Sequence, residues 1–444
     1  MENSRKSPLS DSEMLFQRFV HAAASRLLPS TRVAVAYSGG LDSTVLLHLF
    51  LRLRASQSFD LQAFHLHHGL SPNADAWLAH CARVCERTAV PFSSSRADLS
   101  HIAGASLEAR ARTARYQAYE MLNAELVVLA HHQDDQAETV LYRLARGAGV
   151  QGAAGMPAMR PLGAGKQIWR PLLAEPRSAL LEYAQQHELS WVEDESNVLV
   201  DYDRNFLRHV VVPPLVSRFP SAQAALARAA RHFSEAAGLL DSLAKMDAVD
   251  EAPSLDMARL RSLSEARQHN LLRWFLAKHA LWLEERQLTV LLGQVLHARE
   301  DATPFLRLGD VAVRRYRERL WVAPLPPNVQ ATELGLDGLL PTNWGGQLSW
   351  SRQAGGVADA WRDGLVARPR MGGERLRPRT GGPTRPVKDL LQEAGVPPWL
   401  RSYWPLIWRG DVLVAVAGIA VAAQCQDECG WWPRWQPEGW PDAP

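Results

Sequence analysis

Val33-Ala34-Val35-Ala36-Tyr37-Ser38-Gly39-Gly40-Leu41-Asp42-Ser43 joins a short apolar run to a helical pattern. Val33–Tyr37 reads as a buried strand. From Asp42 to Arg54 the spacing of Val45, Leu46, Leu49, Phe50 and Leu53 reads as a helix. The two glycines between them permit unusual φ angles and let a ligand approach the backbone closely. The helix N-terminus beyond them offers free N–H groups and a partial positive charge. Ser38 and Ser43 add hydroxyl donors, so the loop has the parts of a phosphate cradle. It is not a Walker A loop, because it lacks that motif's spacing and its lysine. The structural alternative is a plain glycine turn with Asp42 or Ser43 capping the helix. The six-residue string directly behind a strand favours the cradle.

Outward from this point the first half alternates strand and helix signals. Leu61–Leu66 and Leu126–Ala130 read as strands, and 76–89, 106–123 and 134–146 as helices, the last closed by Gly147. Such alternation predicts a parallel sheet covered on both faces, with ligands beyond the carboxyl ends of its strands. From about Ser221 the stretches 222–247, 254–280 and 286–298 read as helices with no strands between them. Phe305–Val322 reads as short strands turning at Gly309-Asp310, and the Pro-, Gly- and Asn-rich stretch that follows reads as a linker. The expected architecture is α/β. A parallel-sheet, Rossmann-like nucleotide-binding domain occupies 1–217 and a mainly helical domain 218–325. A linker covers 326–345, and a small α+β domain with many tryptophans covers 346–444.

The chain has 444 residues, 49 Lys plus Arg against 47 Asp plus Glu, and four cysteines. Four cysteines are too few for a disulfide scaffold, and the pairs Cys81/Cys85 and Cys425/Cys429 lack the usual zinc-knuckle spacing. They read as buried or half-buried thiols. The first residues show no export signal, and the longest apolar run, 12 residues from Val412 to Ala423, is short of the roughly 20 a membrane span needs. The expectation is a cytoplasmic protein with no membrane association. The balanced charge hides a distribution. Residues 1–217 carry a net −1 and 218–444 a net +3. Within 368–388, Arg368, Arg370, Arg375, Arg377, Arg379, Arg385 and Lys388 stand against Glu374 alone. A Gly- and Pro-rich basic loop of this kind suits a nucleic-acid backbone; a solvated basic face is its bland alternative.

Further strings sit in order behind the loop: His65-Leu66-His67-His68-Gly69-Leu70, Glu108 to Tyr116, and His131-His132-Gln133-Asp134-Asp135-Gln136-Ala137-Glu138-Thr139. Arg170-Pro171-Leu172-Leu173, Asp194-Glu195-Ser196-Asn197, Tyr202, Arg204-Asn205 and Arg208 follow. The loop Ser38–Ser43 resembles the pyrophosphate loop of the N-type ATP pyrophosphatases. The whole set, dense over 30–215 and thinner toward the C-terminus, is similar to the bacterial tRNA(Ile)-lysidine synthetases.

That resemblance implies the cofactors ATP and Mg²⁺, with Ser38, Gly39, Gly40, Leu41, Asp42 and Ser43 holding phosphates and Asp42 helping to hold the metal. It implies that ATP adenylates the wobble cytidine of the CAU anticodon of tRNA(Ile), after which free lysine displaces AMP to leave lysidine. Asp135 and Glu138, three apart on one helix face, would recognise lysine, and one could accept its proton. A solvated face with a helix N-terminal charge preference is the structural alternative. Arg112 would stabilise the transition state, its guanidinium fork suiting phosphate oxygens. Arg204 and Arg208 would contact nucleotide or tRNA, with pairing to Asp201 or Asp203 as the structural alternative. Arg370, Arg377 and Arg379 would contact the tRNA. The sequence does not set the oligomeric state; a homodimer is one assembly it allows.

Three competing readings are weaker. A tRNA thiolation enzyme on the same fold needs catalytic cysteines near the nucleotide, and the N-terminal half has only Cys81 and Cys85 within a helical pattern. An amide-forming synthetase such as NAD synthetase needs no basic loop at 368–388. A non-catalytic RNA-binding module would not need Asp42, Arg112, Asp135 and Glu138 together.

Overall fold

The computed structural model describes residues 10–69, 71–98, 107–163, 165–195, 203–249, 252–297, 305–334 and 340–440. Leu70, Ser106, Ser196, Asn197, Asp201, Tyr202 and 335–339 of the expected linker lie outside them. The chain forms two units, 1–239 and 240–444.

The first unit runs α1 (Asp11–Ala24), β1 (Arg32–Ala36), α2 (Leu41–Arg54), β2 (Asp60–His67), α3 (Ala74–Arg87), β3 (Phe92–Arg96), α4 (Leu107–Met121), β4 (Leu126–Val128), α5 (Gln133–Ala145), α6 (Val150–Ala153), β5 (Met159–Gly163), β6 (Lys166–Trp169), α7 (Arg177–Gln186), α8 (Asp203–Phe206), a π-helical turn (Leu207–Val211), α9 (Val212–Arg218) and α10 (Ala222–Ala248). The sheet order is β3-β2-β1-β4-β6-β5. β1 pairs in parallel with β2 on one side and β4 on the other. Val33, Ala34 and Val35 are therefore buried from both faces, which explains the unbroken apolar run. Val45, Leu46, Leu49, Phe50 and Leu53 pack from α2 into the core that holds Val33 and Val35.

Two features of the sheet differ from the sequence reading. β5 runs antiparallel to β6 at one edge, because the turn between Gly163 and Lys166 is too short for a crossover. β3 escaped sequence reading because Phe92-Ser93-Ser94-Ser95-Arg96 is polar. It is an exposed edge paired in parallel with β2, so it needs no apolar run. The parallel crossovers gather the carboxyl ends of β1, β2, β4 and β6 on one side of the sheet. Ser38, His65, His131 and Arg170 stand at or just beyond those ends.

In the second unit β7 (Ser254–Asp256), α11 (Met257–Ser262), α12 (Glu265–Lys278), α13 (Glu285–His297), β8 (Phe305–Leu308), β9 (Val311–Tyr316) and β10 (Arg319–Pro324) build one core. β7 is a strand within the stretch 254–280, which sequence read as helical throughout. It is only three residues long and is recruited by antiparallel pairing to β10.

A second core holds β11 (Thr332–Glu333), β12 (Gly346–Gln353), β13 (Gly356–Val357), β14 (Leu365–Arg368), β15 (Arg375–Leu376), β16 (Arg385–Pro386), α14 (Val387–Glu393), β17 (Leu406–Arg409), β18 (Val412–Val416), β19 (Ala420–Val421), β20 (Gln426–Asp427) and β21 (Gly430–Pro437). Its fully buried Trp344, Trp404 and Trp435 are packing residues. The stretch 326–345 is not bare chain, since β11 pairs with β14 and Trp344 is buried. The basic segment is likewise a ribbon: β15 pairs with β16, and buried Leu376 anchors it. Among the described residues no helix is long and apolar enough to cross a membrane.

Candidate active site

The loop between β1 and α2 is tied from inside and outside. The Ser38 and Ser43 hydroxyls lie 3.0 Å apart, and the Ser43 hydroxyl donates to the Gly40 carbonyl at 3.0 Å. Val192 N–H donates to the Gly39 carbonyl at 2.9 Å, so the 191–195 segment clamps the loop. Helix α2 starts after Gly40 with no side-chain cap, leaving its first N–H groups to an external acceptor. Gly39 has φ +85°, and a Cβ there would lie 2.9 Å from Cys81 Sγ and 3.2 Å from Val192 Cγ2. Gly39→Ala therefore meets both a clash and a strained φ. It should cost about 1–3 kcal/mol and weaken ATP binding, as thermal unfolding and nucleotide titration would show. Adding Cys81→Ala should recover only the steric part. Full ATP affinity in Gly39→Ala would contradict this account of the loop.

Helix α5 brings the acidic residues to the same edge. His132 is its N-cap and forms a reciprocal pair with Asp135. Asp135 Oδ2 accepts from His132 N–H at 3.1 Å, and His132 Nδ1 accepts from Asp135 N–H at 3.4 Å. On its other side His132 Nε2 lies 3.6 Å from Asp42 Oδ2 and 3.5 Å from Asp135 Oδ2. This buried ring therefore links the phosphate loop to the acidic helix. Burial disfavours its charge, but Asp42, Asp135 and Asp134 outweigh that and raise its pKa. A second proton would occupy Nδ1, so a charged ring and the N-cap bond are alternatives. Asp42 Oδ1 is buried with no hydrogen-bond partner.

Asp135 and Glu138 share a face of α5, as the spacing predicted, and both are buried. Neither is solvated. Arg204 donates to Asp135 at 2.8 Å and Glu138 at 3.1 Å; Arg208 donates to Glu138 at 2.7 Å and Asp135 at 3.0 Å. Among the described residues the partners of these arginines are thus the α5 carboxylates and not Asp203; Asp201, the other alternative, lies outside the described residues. Arg208 lies on the π-helical turn, a local form frequent at functional sites. Burial works to raise the pKa of Asp135, but His132, Arg204 and His131 reverse this and hold it down at about 2. Asp135 therefore contributes its stability above the ordinary carboxylate pKa of 3.8 and loses it only as pH falls through about 2.

Arg112 belongs to α4. With Arg115, Tyr116, His131 and Arg204 it lines a cavity of about 200 Å³ over Leu129 at the end of β4. Its guanidinium lies 5.3 Å from the Tyr116 ring centroid, with Arg160 at 4.3 Å from the same ring. Arg115 Nη2 lies 3.3 Å from His68 Nε2. His65 is structural, its Nδ1–H donating to the Tyr37 carbonyl at 3.0 Å.

The arginines of the second unit are partly committed. Arg370 lies 3.6 Å from Glu374, Arg377 donates to the Thr384 hydroxyl at 3.3 Å, and the Arg379 carbonyl closes a turn with Gly382 N–H at 3.0 Å. Arg385 pairs with Glu393, an acid outside the segment counted from sequence. Arg377 and Arg379 themselves remain exposed.

All four cysteines are free thiols. Burial pushes Cys81 up to about 12 and Cys85 up to about 11, so neither is a thiolate near neutral pH. His132 and Arg170 were not singled out from sequence. A histidine is an unusual N-cap, and its only signal was its place directly ahead of an acidic first turn.

Comparison with known proteins agrees with this geometry. Residues 10–215 match the model of the PP-loop domain, 255–321 that of the TilS substrate binding domain, and 365–435 that of the TilS substrate C-terminal domain. The chain is 43% identical over 414 residues to the tRNA(Ile)-lysidine synthase of Chromobacterium violaceum, covering 91% of this chain and 95% of that one. It is 40% identical to the enzyme of that name from Nitrosomonas europaea, covering 92% of each. Among solved structures, a U34-tRNA thiolase from Methanococcus maripaludis shares 15% identity at a TM-score of 0.42, covering 51% of this chain and 80% of that one. Matches this long and this similar to curated relatives show that the chain belongs to the tRNA(Ile)-lysidine synthase family.

Proposed function

We propose that the protein joins free L-lysine to the wobble cytidine of the CAU anticodon of tRNA(Ile) at the expense of ATP, forming lysidine. It is a ligase that makes a carbon–nitrogen bond. The observation that carries this reading is the His132 bridge. It sets the phosphate loop, through Asp42, within 3.6 Å of a ring that also touches the Asp135 carboxylate. Two half-reactions, one at a phosphate and one at an amine, need such adjacency.

In the first step the ring O2 of the cytidine attacks the α-phosphorus of ATP and pyrophosphate leaves. Ser38 to Ser43 and the open α2 N-terminus bind the polyphosphate. Arg112 and Arg204, facing the cavity, stabilise the charge that develops on the transferring group. Asp42 Oδ1, which accepts no hydrogen bond and has only Arg177 Nε 4.0 Å away, fits a divalent cation, and no cluster of three ligating side chains exists among the described residues. Mg²⁺ would therefore be shared between Asp42 and the ATP phosphates, where it supplies charge neutralisation.

In the second step the lysine ε-nitrogen attacks C2 and AMP departs with O2. Asp135 and Glu138 hold the amine. One of the two carboxylates accepts the proton that the amine loses. The carboxylates already bear two guanidiniums, so the incoming cation displaces one. Arg204, with 42% of its side chain exposed against 31% for Arg208, is the freer. Arg204 and Arg208 then face nucleotide or tRNA. Arg370, Arg377 and Arg379 serve the tRNA backbone. We take 1–217 as the catalytic domain, with 218–325 and 346–444 serving tRNA, in a cytoplasmic setting where ATP, lysine and tRNA meet.

The test is incubation with ATP, labelled lysine and a CAU-anticodon transcript. The expected result is label in the tRNA with equal AMP release. No lysine transfer, or incorporation of sulfur from a sulfide donor, overturns the reading. The buried, protonated state of Cys81 and Cys85 speaks against the thiolation alternative.

A further inference from the structure

We infer that His131 is a base-reading residue whose Nε2–H selects a pyrimidine presenting adjacent acceptors at O2 and N3, and so prefers cytosine to uracil. The inference rests on the lysidine reading and names the group that recognises its target base.

Arg170 is buried at the carboxyl end of β6, held by its own N–H donating to the Ala158 carbonyl at 2.8 Å and by its Nη1 donating to the Pro157 carbonyl at 2.8 Å. Its Nε–H donates to His131 Nδ1 at 3.3 Å. A guanidinium can only donate, so Nδ1 must carry the lone pair. In the neutral ring the proton then sits on Nε2. The ring is neutral at any physiological pH: burial, with Arg170, Arg204 and Arg115, pushes its pKa down to about 3 against the opposing effect of Asp135. Among the described residues no protein group accepts from Nε2, and His131 forms part of the wall of the cavity with Arg112, Arg115 and Arg204.

The cavity polarity follows. Among the lining side chains, three guanidiniums and a neutral imidazole N–H supply donors, and the phenolic hydroxyls of Tyr116 and Tyr119 are the groups that can accept. A volume of about 200 Å³ suits a single heterocycle and not a whole nucleotide. Cytosine offers O2 and N3 as neighbouring acceptors. Uracil carries N3–H, a donor that would face a donor, and a buried unmatched pair of this kind is costly. The same contact aids the chemistry. When the amine adds to C2, electron density moves onto N3, where an Nε2–H donor is already in place.

The test uses tRNA(Ile) transcripts that differ only in cytidine or uridine at the wobble position. Their affinities are measured for wild type, His131→Gln and His131→Leu. Glutamine can accept from Arg170 through its carbonyl and donate into the cavity through its amide; leucine can do neither. Wild type should favour the cytidine transcript by about 10-fold or more. His131→Gln should keep most of that ratio, and His131→Leu should bring it close to one. An unchanged ratio in His131→Leu, or no preference in wild type, overturns the inference. ¹⁵N spectra of wild type provide a readout without a variant fold: a neutral ring protonated at Nε2 is expected, and the Nδ1–H tautomer overturns the assignment. Failure of the parent reading looks different, since wild type would then transfer no lysine to the cytidine transcript at all.

Discussion

Replacing Asp42 with asparagine should lower tRNA-dependent pyrophosphate release, measured without lysine, by about 10³-fold, with Tm unchanged to within about 2 °C. The two halves of this expectation have different origins. Asparagine keeps the shape of the side chain, Asp42 Oδ1 accepts no hydrogen bond, and the ion pair it loses, to half-exposed Arg177 with Nε at 4.0 Å, is long. The fold therefore loses little. What disappears is the negative charge at the first turn of α2, beside the Ser38–Ser43 loop. That charge is what a cation needs in order to bridge protein and phosphates. Asp42 also contributes to the raised pKa of His132, so its loss eases that ring toward neutrality. A variant that releases pyrophosphate at the wild-type rate would remove Asp42 from the adenylation step. A fall in Tm matching the fall in rate would reduce its role to support.

Glu138→Gln is the second large effect, and it separates two readings of the same cluster. The carboxylate lies among Arg204 and Arg208, with three hydrogen bonds at 3.1, 2.7 and 3.0 Å. Truncating one member of a buried charge pair costs about 2–5 kcal/mol. If the pair recognises lysine, the lysine KM should rise by about 10²-fold while the ATP KM moves less than about 3-fold. If the cluster only braces α5 against 204–208, the cost should appear in Tm and the lysine KM should stay put. Measuring both constants and the unfolding temperature on one preparation decides the matter.

The sequence exposed some parts of this site through local chemistry. Ser38 to Ser43 followed an apolar run, and a glycine pair at a strand-to-helix junction has few other uses. Asp135 and Glu138 three apart in an α5 pattern had to share a face. Other parts left no local trace. β3 is a polar edge strand, and β7 is three residues recruited by pairing. Neither has a periodicity to read. Arg204 and Arg208 meet Asp135 and Glu138 across about 70 positions, and sequence offered nearer acids as partners. His132 looked like one histidine in a run of two, because its capping geometry depends on where α5 begins.

The sequence by itself determined the family, the α/β class of the first half, the phosphate loop and the identity of the acidic pair. Each depends on residues close in the chain, where backbone geometry sets the spacing. Only the tertiary structure decided that the acidic pair carries its own arginine counter-charges, that His132 joins it to Asp42, and that Arg170 orients His131 toward a donor-lined cavity. Those relations cross from one strand end to another. The parallel crossovers put the strand ends on one edge, and no spacing within a single segment encodes which side chains then meet.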